Sequence, residues 1–326
     1  MKRFKDILYV VVAGEASKPA LERAVTLAEN NQARLTVVGA TERITAGIGI
    51  PDGGPISAEL QTAMVSIETD RLNKLVDPYR KRMDIQTKVL QGTPFLEIIR
   101  AVLRDGHDLV IKAPETGDWL DRLIGSDDMH LLRKCPCPVW LIKPQTPKAH
   151  RRILAAVDVH DIYPPAELES RRVLNQQVLE IAISLALADF AELHIVHVWD
   201  AIGESAMRGV FMSATEQQIK SYVEQNRLRS EECLDRLINE MTCALGEETM
   251  GYLKPHKHLV KGQARKEIPV IAKQIDADLV VMGTVARTGL PGFIMGNTAE
   301  SILNQINCSV FAIKPPDFIT PVTLEI

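Results

Sequence analysis

Residues 90 to 110 read LQGTPFLEIIRAVLRDGHDLV, and residues 260 to 280 read VKGQARKEIPVIAKQIDADLV. The second stretch repeats the first at an offset of 170: Gly92 returns as Gly262, Glu97 as Glu267, Ile98 as Ile268 and Leu109-Val110 as Leu279-Val280. Other blocks recur in the same order. ALERAVTLAENNQARL (20–35) matches VLEIAISLALADFAEL (178–193), and CPVWLIKP (137–144) matches CSVFAIKP (308–315). The apolar run near the start of the chain, Ile7 to Ala13, has its copy in RRILAAVDV (151–159). That run, preceded by Lys2, Arg3 and Lys5, superficially resembles a leader. Its internal copy, where no leader could sit, argues for a buried strand in both places. The chain is therefore a duplicated domain, with units at 1–148 and 149–326 joined near Gln145 to His150. Two copies of so long a period do not make a solenoid.

Each copy alternates two patterns. Short β-branched runs such as Leu109 to Ile111 and Val139 to Ile142 read as fully buried strands. Between them, apolar residues at helical spacing (Leu21, Ala24, Val25, Ala28; Ile98, Ile99, Val102) read as helices. Alternating strand and helix implies parallel strands joined by crossover helices. The expected fold class is α/β: two tandem Rossmann-like domains, each a five-stranded parallel sheet with helices on both faces. Ligands of such sheets bind beyond the carboxyl ends of the strands.

Composition excludes several classes. The chain has 326 residues, 46% hydrophobic and 25% charged, with a net charge of −4 and no basic run. Nucleic-acid and membrane-surface partners are disfavoured by that balance, and no apolar run is long enough for a membrane span. Five cysteines, an odd number in a long chain, do not form a disulfide framework, so a cytoplasmic location is expected.

The richest local signal is MGTVARTGLPGFIMGNTAE (282–300), which holds Gly283, Gly289, Gly292 and Gly296 between a strand and a helix. Glycines permit positive φ and close backbone approach, so consecutive N–H groups can converge on an anion. Asn297 with Glu300 three residues on has the pattern of a capping box, and a helix amino end favours phosphate. A long loop without a ligand is the alternative.

At this point the chain resembles the universal stress protein family, in its tandem two-domain form (E-type), over nearly its whole length. The resemblance implies a fold like that of the adenine nucleotide alpha hydrolases. Nucleotide-binding members carry Gly, two residues, Gly, nine residues, Gly, then Ser or Thr. Here the corresponding positions are Gly283, Ala286, Gly296 and Asn297, so the outer glycines and the spacing hold while the second glycine and the hydroxyl depart. An alanine at a positive-φ position costs about 1 kcal/mol, which weakens such a loop without abolishing it. The resemblance further implies that Asp158, at the end of the first strand, contacts the nucleoside and that Val198 packs on the base. The implied nucleotide-binding set is Ala156, Asp158, Val198, Met282, Gly283, Val285, Ala286, Arg287, Gly296, Asn297 and Thr298. Its ligand would be ATP or ADP, with Mg²⁺ as an optional companion.

In the first copy Asp158 corresponds to Val12, Val198 to Ala40 and Gly283 to Ala113. Asp127 and Asp128 follow Gly125-Ser126, where they would repel a phosphate. That half is expected to lack the nucleotide site. The resulting reading is a stress-response protein whose second half binds adenine nucleotide in a regulatory capacity. Weak ATPase activity is secondary, since the loop offers no evident general base. Its rivals are a carrier or sensor of a small amphipathic ligand and a pure interaction scaffold. Cys135-Pro136-Cys137 reads as buried thiols more readily than as a metal site. His256 and His258 share one face of a strand and suit either a metal or a half-exposed surface, whereas His194 and His197 point to opposite faces. Because the last strands are apolar, the halves are expected to pair through them as a pseudo-dimer, with Trp140 beside Phe311; pairing of those edges between chains, as a homodimer, is the alternative.

Overall fold

The computed structural model describes residues 4–12, 17–43, 55–114, 126–143, 149–209, 214–284 and 295–324. The first half runs β1 (Asp6–Val10), α1 (Ser17–Asn31), β2 (Arg34–Thr41), α2 (Pro55–Val76), β3 (Ile85–Gln91), α3 (Pro94–Asp105), β4 (Leu109–Lys112), α4 (Asp127–Lys134) and β5 (Val139–Leu141). The second runs β6 (Arg152–Val157), α5 (Pro165–Asp189), β7 (Glu192–Trp199), α6 (Glu204–Met207), α7 (Glu216–Leu245), α8 (Glu247–Leu253), β8 (His256–Lys261), α9 (Ala264–Gln274), β9 (Leu279–Gly283), α10 (Asn297–Leu303) and β10 (Ser309–Ile313).

Local chemistry accounts for many of these boundaries. The α1 residues Leu21, Ala24, Val25 and Ala28 are all fully buried, forming one stripe at helical period. Helix α3 begins on Pro94 and ends at Gly106, whose φ of 75° lets its N–H return to the Val102 carbonyl. Thr215 and Gln218 close a reciprocal capping box at the start of α7. Every residue of β4 is buried, as the strand is covered on both faces.

The ten strands form one sheet in the order β3-β2-β1-β4-β5-β10-β9-β6-β7-β8. Within each half all pairings are parallel, and the halves meet where β5 pairs antiparallel with β10. Thus the two expected five-stranded sheets are not separate: they merge edge to edge and leave neither last strand exposed. Trp140 lies opposite Phe311 with ring centroids 5.4 Å apart, the neighbours expected from the repeat. Both rings are buried in an apolar layer that runs unbroken through both halves beneath α1, α2, α5 and α7. A second layer lies on the opposite face, beneath α3, α4, α9 and α10.

Polar contacts reinforce the junction. Arg133 Nη2 meets Glu300 Oε1 at 2.6 Å, and Lys143 Nζ donates to Asn307 Oδ1 at 2.6 Å. Arg23, from α1, joins Asp189 and His150 of the second half beside Trp140. The run at Ile7 is the buried strand β1, as its internal copy predicts. Among the described residues, no helix is long and apolar enough to cross a membrane.

Candidate functional site

The carboxyl ends of β6, β7 and β9 open onto a cleft of about 850 Å³. Ala156, Asp158, Val198, Met282, Gly283, Gly296 and Thr298 line it, so one cleft gathers seven of the residues singled out from the sequence. Asn297 is exposed in the first turn of α10 and is not part of the lining. Val285, Ala286 and Arg287, like Gly289 and Gly292, lie outside the described residues.

Two local expectations need correction. Gly296 itself precedes α10, with φ −63° and ψ 140°, and no side chain caps the helix. The Asn297–Glu300 capping box does not form, because Gly296 takes the N-cap position and Asn297 is already the first residue of the helix; the Glu300 carboxylate instead meets Arg133 in the other half. The role of Gly283 is also steric rather than conformational. A Cβ there would come within 2.6 Å of Leu174 Cδ2, so α5 lies close against the end of β9.

Asp158 is the charged centre of the cleft. Its Oδ2 accepts from Tyr163 Oη and Arg171 Nη1, each at 2.8 Å, and its Oδ1 lies 2.8 Å from His160 Nδ1. The Asn175 amide brackets its backbone, accepting from the Asp158 N–H at 3.0 Å and donating to its carbonyl at 2.7 Å. The Arg171 guanidinium lies 3.5 Å from the centroid of the Tyr163 ring. Desolvation opposes ionisation of Asp158, but His160, Arg171 and Tyr163 outweigh it and hold the carboxyl at about 2. Sequence reasoning missed these partners. The available signal was the extra twelve residues after the first strand, roughly 160–171, which carry His160, Tyr163 and Arg171 to the cleft wall.

His197 packs behind that cluster. Its ring is 4.7 Å from that of His160, and its Nδ1 is 3.3 Å from the Val157 carbonyl. Burial, with a smaller contribution from the nearby His160 ring, pushes it down to about 4, so it is neutral at pH 7. Ligand atoms of Asp158, His160 and His197 fall within 4.8 Å of one another. The donor chemistry does not suit a metal, however, because both carboxylate oxygens are engaged and one of them holds the Arg171 cation.

Beneath the cleft, buried Lys314 donates to Thr284 Oγ1 at 2.7 Å and to the Leu132 carbonyl of the first half. Burial pushes its amine down to about 7. Cys135 and Cys137 are buried with their sulfurs 3.6 Å apart, and no described residue forms a metal-ligand group with them.

The first half is built differently at the matching place. Lys112, in the position of Met282, donates from Nζ to Asp128 Oδ1 at 2.6 Å, and both side chains are buried. Asp128, expected from the sequence to satisfy the helix dipole and to repel a phosphate, is thus paired with a cation from within the fold.

Such a sheet, written twice and carrying a mostly apolar cleft with a charged cluster at the strand ends of one copy, defines a tandem α/β protein. The Universal stress protein family matches residues 3–143 and 150–314, and the chain belongs to that family. It is 28% identical over 333 residues to universal stress protein E of Escherichia coli K12, covering 100% of this chain and 98% of that one. With the universal stress protein E homolog of Haemophilus influenzae it shares 30% identity over 329 residues, covering 96% and 98%. Among solved structures, a protein of unknown function from Pseudomonas aeruginosa PAO1 superposes with a TM-score of 0.67 at 26% identity, covering 96% of this chain and 94% of that one. A universal stress protein from Archaeoglobus fulgidus has the same fold, with a TM-score of 0.60 at 17% identity, covering 95% and 98%. Membership of this family supports a role in the stress response.

Proposed function

We propose that this chain is a cytoplasmic, nucleotide-responsive regulator that takes one adenine nucleotide, ATP or ADP, in the cleft of its second unit. The division we adopt is 1–148, without a nucleotide site, and 149–326, with one. The observation that carries this reading is the gathering of Asp158, Val198, Met282, Gly283 and Gly296 around one cleft of about 850 Å³. That volume lies within the usual range for small-molecule sites, roughly 300–1,000 Å³. The base packs on Val198 and Ala156, and the phosphates lie toward Gly283 and Gly296. A carboxylate offers about four acceptor positions, and three side chains already use three of those on Asp158. The remaining contact, a long 3.4 Å approach by the His160 amide, is the one a nucleoside donor replaces.

Calorimetry of the full chain with ATP and with ADP tests the reading. One nucleotide per chain is expected, and Gly296→Asp is expected to weaken binding at least about tenfold, or about 1.4 kcal/mol. Gly296 has an extended backbone open to any residue, so the substitution acts through the carboxylate it brings to the phosphates. Two nucleotides per chain, none, or unchanged affinity in a folded Gly296→Asp chain would overturn the assignment.

A further inference from the structure

At the outer edge of the sheet, at the opposite end of the strands from the cleft, three histidines and a glutamate converge. Glu192 and His194 are two residues apart on β7, and His256 and His258 are two apart on β8, so each strand presents its pair on one face. His194 lies directly opposite His256 in the parallel register. The His194 ring stacks against those of His256 and His258, with centroids 4.7 and 5.2 Å away. The corresponding first-half residues are Arg34 and Thr36 on β2 and Gln86 and Lys88 on β3, so the cluster is a property of the second half.

His194 Nδ1 and His258 Nε2 are 2.9 Å apart, so one of them carries the shared proton. With the proton on His194 Nδ1, its Nε2 presents a bare lone pair. That atom is buried without a hydrogen-bond partner among the described residues and lies 3.6 Å from Glu192 Oε2, another acceptor. One ligand atom from each of Glu192, His194 and His256 falls within 4.8 Å of the others. In this tautomer the two acceptors face one another across a gap that a cation placed between them satisfies.

We propose that Glu192, His194 and His256 form a site for a divalent metal ion of the zinc class, with His258 as the positioning residue. Two imidazoles and a carboxylate make a zinc donor set that leaves a fourth position to water. His258, accepting from His194 Nδ1–H, fixes the tautomer and aims Nε2 at the ion, as hydrogen-bonded partners of metal-bound histidines do. Glu192 and His256 are exposed and can close the remaining distance by changing rotamer. The ion displaces a loose Arg152–Glu192 contact of 3.4 Å. Because β8 is the terminal strand, the bound ion ties the edge of the sheet to its neighbour.

The test is a calorimetric titration of Zn²⁺ into tag-free, chelator-stripped full-length protein, with thermal unfolding as a second readout. One ion per chain is expected to bind at micromolar concentration or tighter and to raise Tm. His256→Ala and Glu192→Gln, both surface changes, are each expected to cost at least about tenfold in affinity and to remove the zinc-dependent rise in Tm. His160→Ala, which depletes the separate Asp158 cluster, is expected to retain zinc binding. No saturable binding, full affinity in His256→Ala, or loss of binding in His160→Ala instead would overturn the site.

Discussion

Lys112 in the first half and Met282 in the second occupy one register position, Lys112 opposite Val10 and Met282 opposite Ala156. Around Lys112 the strand end carries a buried ion pair, in which its amine holds Asp128. Around Met282 the strand end opens onto a cleft, with Ala299 at the position of Asp128 and the charges moved outward to Asp158 and Arg171. The difference teaches how a duplicated fold diverges. The strands and the apolar layers are retained, while the strand ends differ in the segment inserted after β6 and in their polar side chains: Lys112 pairs with buried Asp128 in one half, and Asp158 gathers His160, Tyr163 and Arg171 at a cleft in the other.

The strongest way to break this comparison is to disturb the buried pair. Lys112→Met is expected to destabilise the chain by about 3–5 kcal/mol, since it removes the cation held against the buried Asp128 carboxylate. Adding Asp128→Ala, which reproduces the residues of the second half, is expected to recover most of that loss. Urea unfolding measures both, and a Lys112→Met chain as stable as its parent would show that the pair does not stabilise the first half.

Next in size is a response to acid that only the second half carries in this position, because His197 corresponds to Gly39 in the first. The folded-state pKa of His197 is depressed to about 4 from 6.5, so the unfolded chain binds the proton more readily. The stability it contributes is complete above pH 6.5 and is lost as pH falls toward 4, by up to about 3 kcal/mol. Denaturant midpoints measured across that window should fall more gently in His197→Gln. Identical slopes would contradict the assignment.

A graft in the reverse direction sharpens the comparison at the ligand. Met282→Lys with Ala299→Asp transplants the first-half pair into the cleft and is expected to lower ATP affinity at least about tenfold, or about 1.4 kcal/mol. Calorimetry reads the loss, and unchanged affinity would separate the cleft from the nucleotide. The smallest effect is expected at the partly exposed Arg133–Glu300 link between the units. A double-mutant cycle on Arg133→Ala and Glu300→Ala should give a coupling of about 0.5 kcal/mol. A coupling of several kcal/mol would make that pair, rather than the β5–β10 seam, the main junction.

Much of this architecture was legible before the structure. The repeat implied two α/β units, and matching apolar last strands implied the seam that sets Trp140 against Phe311. Val12, Ala40 and Ala113 marked the half that departs from the nucleotide pattern, and Asp158, Val198, Gly283 and Gly296 do line one cleft. Less legible were features in which a local pattern competed with a distant partner. Asn297 and Glu300 have the spacing of a capping box, yet Arg133, 167 residues away, takes the glutamate. His194 and His258 are separated by 64 residues, and only pairing of β7 with β8 makes them neighbours.

Periodicity and repetition by themselves determined the fold, because burial of apolar side chains is non-directional and needs only the right spacing along the chain. The tertiary structure alone decided which charges meet. An ion pair depends on positions set to within an ångström by the packing of separate elements, and nothing in the spacing of Lys112 and Asp128, or of Asp158 and Arg171, specifies whether the intervening chain brings them together. That is why the residues that line the cleft could be grouped from the sequence, while the Lys112–Asp128 pair of one half and the Asp158 cluster of the other emerged only from the folded chain.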